Sequence, residues 1–176
     1  MRQLLLLRHA KSSWDDPQLS DHARPLNPRG REAAKMMAQA MRDLGLVPDV
    51  VLVSSARRTL QTLEALEPWD EMPLIEVMDA LYLAPSAEIL AVLRKAAPAA
   101  RSILLIGHNP GLHDLAVRLA GAHAASGDAQ VRRMAAAYPS GALAEFSIAT
   151  PWGEVGETGA RLMRFLTPKD LTEVRA

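Results

Sequence analysis

The sequence contains no cysteine, which excludes disulfides, zinc–thiolate sites and a cysteine nucleophile. It has no surplus of charge: 20 Lys and Arg balance 20 Asp and Glu, and the pI is about 7.0. Nucleic acids and anionic membranes select a basic surplus, so neither is expected as a partner. Lysine is scarce, present only at Lys11, Lys35, Lys95 and Lys169. The remaining positive charge is arginine, whose planar fork matches phosphate and carboxylate oxygens. Long apolar runs are also missing. The apolar start, Leu4 to Leu7, is far too short for a signal peptide or a membrane-crossing helix. A cytoplasmic location is the expectation.

What is present is core material. With 176 residues, 49% of them hydrophobic, the chain suits one compact domain, 1–176. Residues 3–8 read as a buried strand ending in Arg8-His9. Residues 11–27 carry Pro17 and Pro25 and read as a loop. Ala33, Met37, Ala40, Met41 and Leu44 recur at helical spacing after Pro28, and Gly45 supplies a stop. The methionines in this stretch, Met36, Met37 and Met41, read as core packing. Val50 to Val53 is a second buried strand, with Ser54 and Ser55 expected to cap a helix reaching Glu67. Further strands are expected over 74–77, 103–106, 142–149 and 160–166, with helices over 86–97 and from Pro110 to Leu119. Residues 121–141 read as a loop with one helical turn. Strand and helix alternate for most of the length, which predicts a three-layer α/β domain with a mostly parallel central sheet flanked by helices.

In such sheets ligands bind beyond the carboxyl ends of the strands. Three of the expected strands end in polar groups: Arg8-His9, Ser54 to Arg58, and Gly107-His108. If those strands are neighbours, two histidines and two arginines meet in one pocket. Phosphoryl transfer needs an in-line nucleophile and cations around the equatorial oxygens. A neutral imidazole can attack when its other nitrogen is held, and arginine clamps the oxygens. His9 is therefore the candidate nucleophile, Arg8 and Arg58 the clamps, and His108 a donor to the phosphoryl group. His108 and His113 are badly spaced for one metal ion, about 140° apart on a helix. No metal or other cofactor is expected. His22 and His123 lie in loops without partner motifs.

Arg8-His9-Ala10, Ser54 to Thr62 with Arg58-x-x-Gln61-Thr62, and Gly107-His108 together resemble the histidine phosphatase superfamily, whose fold is phosphoglycerate mutase-like. Its second motif places the clamp on Arg58 and leaves Arg57 to face solvent. Arg24-Pro25-Leu26, the Gly107 to Gly111 segment, the ending Phe165 to Leu171 and the short chain are similar to the SixA-type phosphohistidine phosphatases. The resemblance implies catalytic His9, Arg8, Arg58 and His108. Arg24 would add either a phosphate contact or a loop-anchoring salt bridge. Two backbone positions depart from the pattern, Ala10 for a glycine and Ser55 for a proline. Ester phosphatases of this superfamily also carry a glutamate proton donor. The comparable segment here is Met78 to Tyr82, with Ala80 or, one step off, Asp79 at the acid position.

An alkoxide needs that proton more than a phosphoramidate nitrogen does, so the missing glutamate favours a P–N substrate. The expected activity is hydrolysis of protein phosphohistidine through a phosphoryl intermediate on His9. The alternatives are a phosphomonoesterase or mutase acting on small phosphorylated metabolites, or, in another class, a silent domain that binds phosphorylated partners. A mutase needs extra loops to close over its substrate, for which 176 residues leave little chain. The sequence leaves the oligomeric state open.

Overall fold

The computed structural model describes residues 1–121 and 127–175. Six strands, β1 (Arg2–Arg8), β2 (Val50–Ser54), β3 (Leu74–Met78), β4 (Ser102–Gly107), β5 (Leu143–Ile148) and β6 (Ala160–Leu166), form one sheet. The order is β3-β2-β4-β1-β5-β6. The first four strands in this order run parallel to one another, and the β1–β5 and β5–β6 pairings are antiparallel. The sheet is thus mixed, with the expected parallel part running from the β3 edge through β1. Among the described residues six α-helices surround it: α1 (Pro28–Asp43), α2 (Arg57–Glu64), α3 (Ser86–Arg94), α4 (Gly111–Ala120), α5 (Ala129–Ala136) and α6 (Pro168–Arg175).

Successive strand side chains point to opposite faces, and β1 shows the result. Leu4 and Leu6 join a core with Leu90 and Leu93 of α3, Leu112 and Leu115 of α4 and Met134 of α5. Leu5 and Leu7 join the opposite core with Met37 and Met41 of α1 and Leu63 of α2. A strand buried on both faces has no use for polar alternation, which is why β1, β2 and β4 read as continuous apolar runs. Met36 is the exception in its stretch: it is only half-buried, while Met37 and Met41 are in the core.

Three sequence expectations change. The segment 121–141 contains a two-turn helix, α5, whose N-terminus is capped by Asp128 accepting from the Gln130 and Val131 N–H groups. Its short apolar pattern, Val131 and Met134, was masked by the Gly, Ser and Pro around it. The cap of α2 is Ala56, with no side-chain cap bond, because both serines are used elsewhere in the site. Helices α2 and α3 stop at Glu64 and Arg94, earlier than the expected ends. His123 lies outside the described residues.

Candidate active site

Register places the polar strand ends side by side. Arg8 pairs with Gly107 across β1 and β4, and Val53 pairs with Ile106 across β2 and β4. His9, Ser54 and His108 therefore leave the sheet at one level, with the His9 and His108 ring centroids 5.2 Å apart. His9 Nδ1 lies 2.7 Å from the Ala10 carbonyl. A carbonyl only accepts, so Nδ1 carries the proton and Nε2 keeps its lone pair. The second motif is sewn to the first: Thr62 Oγ1 accepts from Ala10 N at 3.0 Å and donates to the Arg58 carbonyl at 2.8 Å. Gln61 Oε1 accepts from Leu26 N at 2.7 Å, which ties α2 to the loop that follows His9.

Arg58 is buried while Arg57 beside it is exposed, as a 100° step on a helix requires. Arg58 donates to the Asp21 backbone carbonyl at 2.8 Å and to its Oδ2 at 3.1 Å. Its Nη2 is also 3.4 Å from His108 Nδ1. Arg8 donates to the Tyr138 carbonyl at 3.0 Å. On both arginines the Nε–H is buried without a partner among the described residues, so the pair retains donor capacity that these residues leave unmet. Arg24 directs its N–H groups to Asp21 Oδ1, Ser12 Oγ and the Ser13 carbonyl. Those contacts anchor the loop over residues 11–27.

Asp21 and Tyr82 belong to the site, although neither carries an expected role from the sequence. Asp21 sits in a short 3₁₀ turn, Asp21–Ala23, and its carboxylate accepts from Arg24, Arg58 and the Tyr82 hydroxyl. The Tyr82 ring stands edge-on to His108 at 5.5 Å and to His22 at 4.8 Å. His22, which showed no partner motif, bonds Ser55 Oγ through Nε2 at 2.9 Å. Asp79 is exposed; from the segment Met78 to Tyr82 it is Tyr82 that reaches the histidines. The one available signal for Asp21 was its i, i+3 spacing to Arg24.

Burial, with the positive charge of Arg58 and Arg8 behind it, lowers His9 to about 4. Burial, then the neighbouring His9 and Arg58, lowers His108 to about 3. Both rings are therefore neutral near pH 7. Tyr82, Arg24 and Arg58 hold the Asp21 carboxyl well below the usual carboxylate range, so it stays ionised and cannot give up a proton. Burial and Asp21 push Tyr82 up. Arg8 is lowered by burial and by the charge of Arg58. Three arginines against one carboxylate leave the pocket in want of an anion. Among the described residues no group of three His, Asp or Glu side chains could share a metal ion.

A neutral, held imidazole between two arginines at the carboxyl ends of a mixed sheet defines a phosphoglycerate mutase-like domain. The superimposed neighbours have the same fold. The family model "Histidine phosphatase superfamily (branch 1)" matches residues 4–81, and the chain belongs to that superfamily. A structure assigned to the phosphohistidine phosphatase SixA of Nakamurella multipartitia superimposes with a TM-score of 0.83 at 28% identity. It covers 95% of this chain and 96% of the other. One assigned to SixA of Agrobacterium tumefaciens gives 0.76 at 28% identity, covering 95% and 98%. An uncharacterized chloroplast protein of Arabidopsis thaliana is 34% identical over 131 residues, 69% of this chain. The match spans 60% of that relative's own length.

Proposed function

We propose that this protein hydrolyses phosphohistidine on proteins, through a phosphoryl intermediate on His9 and without a metal. The observation that carries the reading is His9 itself, neutral, with Nδ1–H held by Ala10 and the Nε2 lone pair free beside two arginines. In the first step Nε2 attacks phosphorus, and the bond to the substrate nitrogen breaks with its electron pair leaving on that nitrogen. In the second, water attacks phosphorus and the His9–P bond breaks, returning the pair to Nε2. One water proton stays on the phosphate and the other passes to solvent. Arg8 and Arg58 stabilise the equatorial oxygens, and His108 donates to one of them. The arginines supply the charge that Mg²⁺ often brings, so EDTA leaves activity intact.

The choice of a P–N bond rests on protons. Asp21 is ionised and Asp79 is exposed, so neither offers a proton to an alkoxide, whereas a phosphoramidate nitrogen is protonated before it leaves. The 28% identity to two structures assigned to the phosphohistidine phosphatase SixA supports the same choice. The test compares phosphoramidate and a phosphohistidine protein with p-nitrophenyl phosphate and small phosphate esters, for wild type and His9→Ala. Faster turnover of the P–N compounds, abolished by His9→Ala, is expected. Preference for esters would make the protein a phosphomonoesterase. Binding without turnover would make it a phospho-binding domain.

A further inference from the structure

His108 has two neighbours that ask opposite things of it. Its Nδ1 faces Arg58 Nη2 at 3.4 Å, and a guanidinium has donors only, so in the free protein Nδ1 carries the lone pair. His108 is neutral, so its single proton is then on Nε2 and is donated to Ser54 Oγ, 2.7 Å away. Ser54 is fully buried, and its Oγ also accepts from Ala56 N at 3.3 Å. This leaves the hydroxyl proton of Ser54 with no acceptor among the described residues, a cost that a buried donor bears in full. If the ring proton sits on Nδ1 instead, the Ser54 hydroxyl donates to Nε2 and still accepts from Ala56. Every group around Ser54 is then satisfied.

We infer that Ser54 is a positioning residue that turns His108 from an acceptor toward Arg58 into a donor toward the phosphoryl group. The inference rests on the reading of this pocket as a phosphoryl site. Phosphoryl oxygens only accept, so an Nδ1 lone pair facing them is repelled, and a neutral His108 helps only with its proton on Nδ1. Binding draws the Arg58 N–H groups to the phosphoryl oxygens, which removes the one reason for a lone pair at Nδ1. Ser54 then decides the tautomer. A hydroxyl can accept from Nε2–H in one state and, by rotating its proton, donate to Nε2 in the other. Neutral imidazole exchanges its ring proton with water: one proton leaves Nε2, one arrives at Nδ1, and the charge of the site is unchanged. The Ser54 backbone carbonyl accepts from Thr59 Oγ1 at 2.7 Å, which ties the end of β2 to α2.

The test is ¹⁵N NMR of histidine-labelled protein, free and with vanadate as the phosphoryl analogue, together with kinetics of Ser54→Ala and Ser54→Thr. Wild type is expected to show the His108 proton on Nε2 when free and on Nδ1 with vanadate. Ser54→Ala should lower kcat by about tenfold to a hundredfold, less than the loss of an oxyanion donor outright, and should fail to move the proton. Ser54→Thr should recover most of both. If His108 holds the same tautomer in both states of the wild type, or if Ser54→Ala keeps kcat within about twofold, the inference is overturned. Should the variants fail to fold, the wild-type spectra decide alone. Vanadate that disturbs neither His9 nor His108 would instead remove the phosphoryl-site reading itself.

Discussion

Asp21 Oδ2 and Arg58 Nη2 lie 3.1 Å apart, while Oδ1 of the same carboxylate holds Arg24 at 3.0 Å. One carboxylate thus sets the position of the proposed clamp and of the loop anchor together. Asp21→Asn should lower kcat/KM by about tenfold or more, since a clamp misplaced by an ångström loses much of its effect. It should also lower stability by about 1–2 kcal/mol. That figure lies below the cost of breaking a buried pair, because the Asp21 side chain is 40% exposed. Steady-state kinetics and thermal unfolding check both. An unchanged kcat/KM would show that Arg58 does not need its carboxylate.

Arg58 and Arg57 provide a test of register. Arg58→Ala should lose about 10²–10³ in kcat/KM, and Arg58→Lys should recover little because an ammonium cannot span two oxygens. Arg57→Ala should change the rate by only about a few-fold, since Arg57 is exposed and its one bond is a long 3.4 Å contact to the Ala23 carbonyl. A greater loss from Arg57→Ala would mean that the clamp has been placed on the wrong arginine.

The histidines predict an acid response. His9 must be neutral to attack, so kcat/KM, corrected for the ionisation of the substrate, should hold from pH 7 to 5 and fall near 4. A limb near 6.5 would contradict the burial of His9. Stability should fall over a wider range. The unfolded chain takes up protons on these histidines near pH 6.5, whereas the folded chain resists until about 4 and about 3. Lowering the pH from about 6.5 to 4 therefore favours the unfolded state. Asp21 acts in the same direction at lower pH, as its stabilising charge is lost. Tm should drop between pH 7 and 4.5, and His108→Gln should flatten part of that drop.

Gly111, which opens α4 after His108, predicts a purely steric defect. A Cβ there would lie 1.8 Å from the Ala84 carbonyl oxygen, part of the backbone two residues from Tyr82. Gly111→Ala should cost about 1–3 kcal/mol, the range for overpacking, and lower activity through displacement of the Tyr82 segment. Gly127→Ala provides the contrast on packing: no described residue lies within 4 Å of its Cβ position, and its φ of +80° resists the change. Thermal unfolding of the two variants should therefore rank Gly111→Ala as the more damaging, and the reverse order would mean that α4 can move away from Ala84.

Much of this protein follows from local sequence. Leu4 to Leu7, Val50 to Val53 and Ile103 to Ile106 are apolar without alternation because both of their faces are buried, and that pattern is visible without coordinates. So are the polar residues that end each strand, and the offset of Gln61-Thr62 from Arg58. Whether those ends meet depends on strand order and register, which put β4 between β1 and β2 and set Arg8 against Gly107. The contacts that Asp21, Tyr82 and Ser54 make in the site were beyond local reading for the same reason. Their partners are 37, 61 and 54 residues away in the chain, and no spacing rule spans such distances. The strands and the reactive residue types came from the sequence; the carboxylate that holds Arg58, the ring beside His108 and the hydroxyl beneath it were decided by packing, because hydrogen bonds form between neighbours in space.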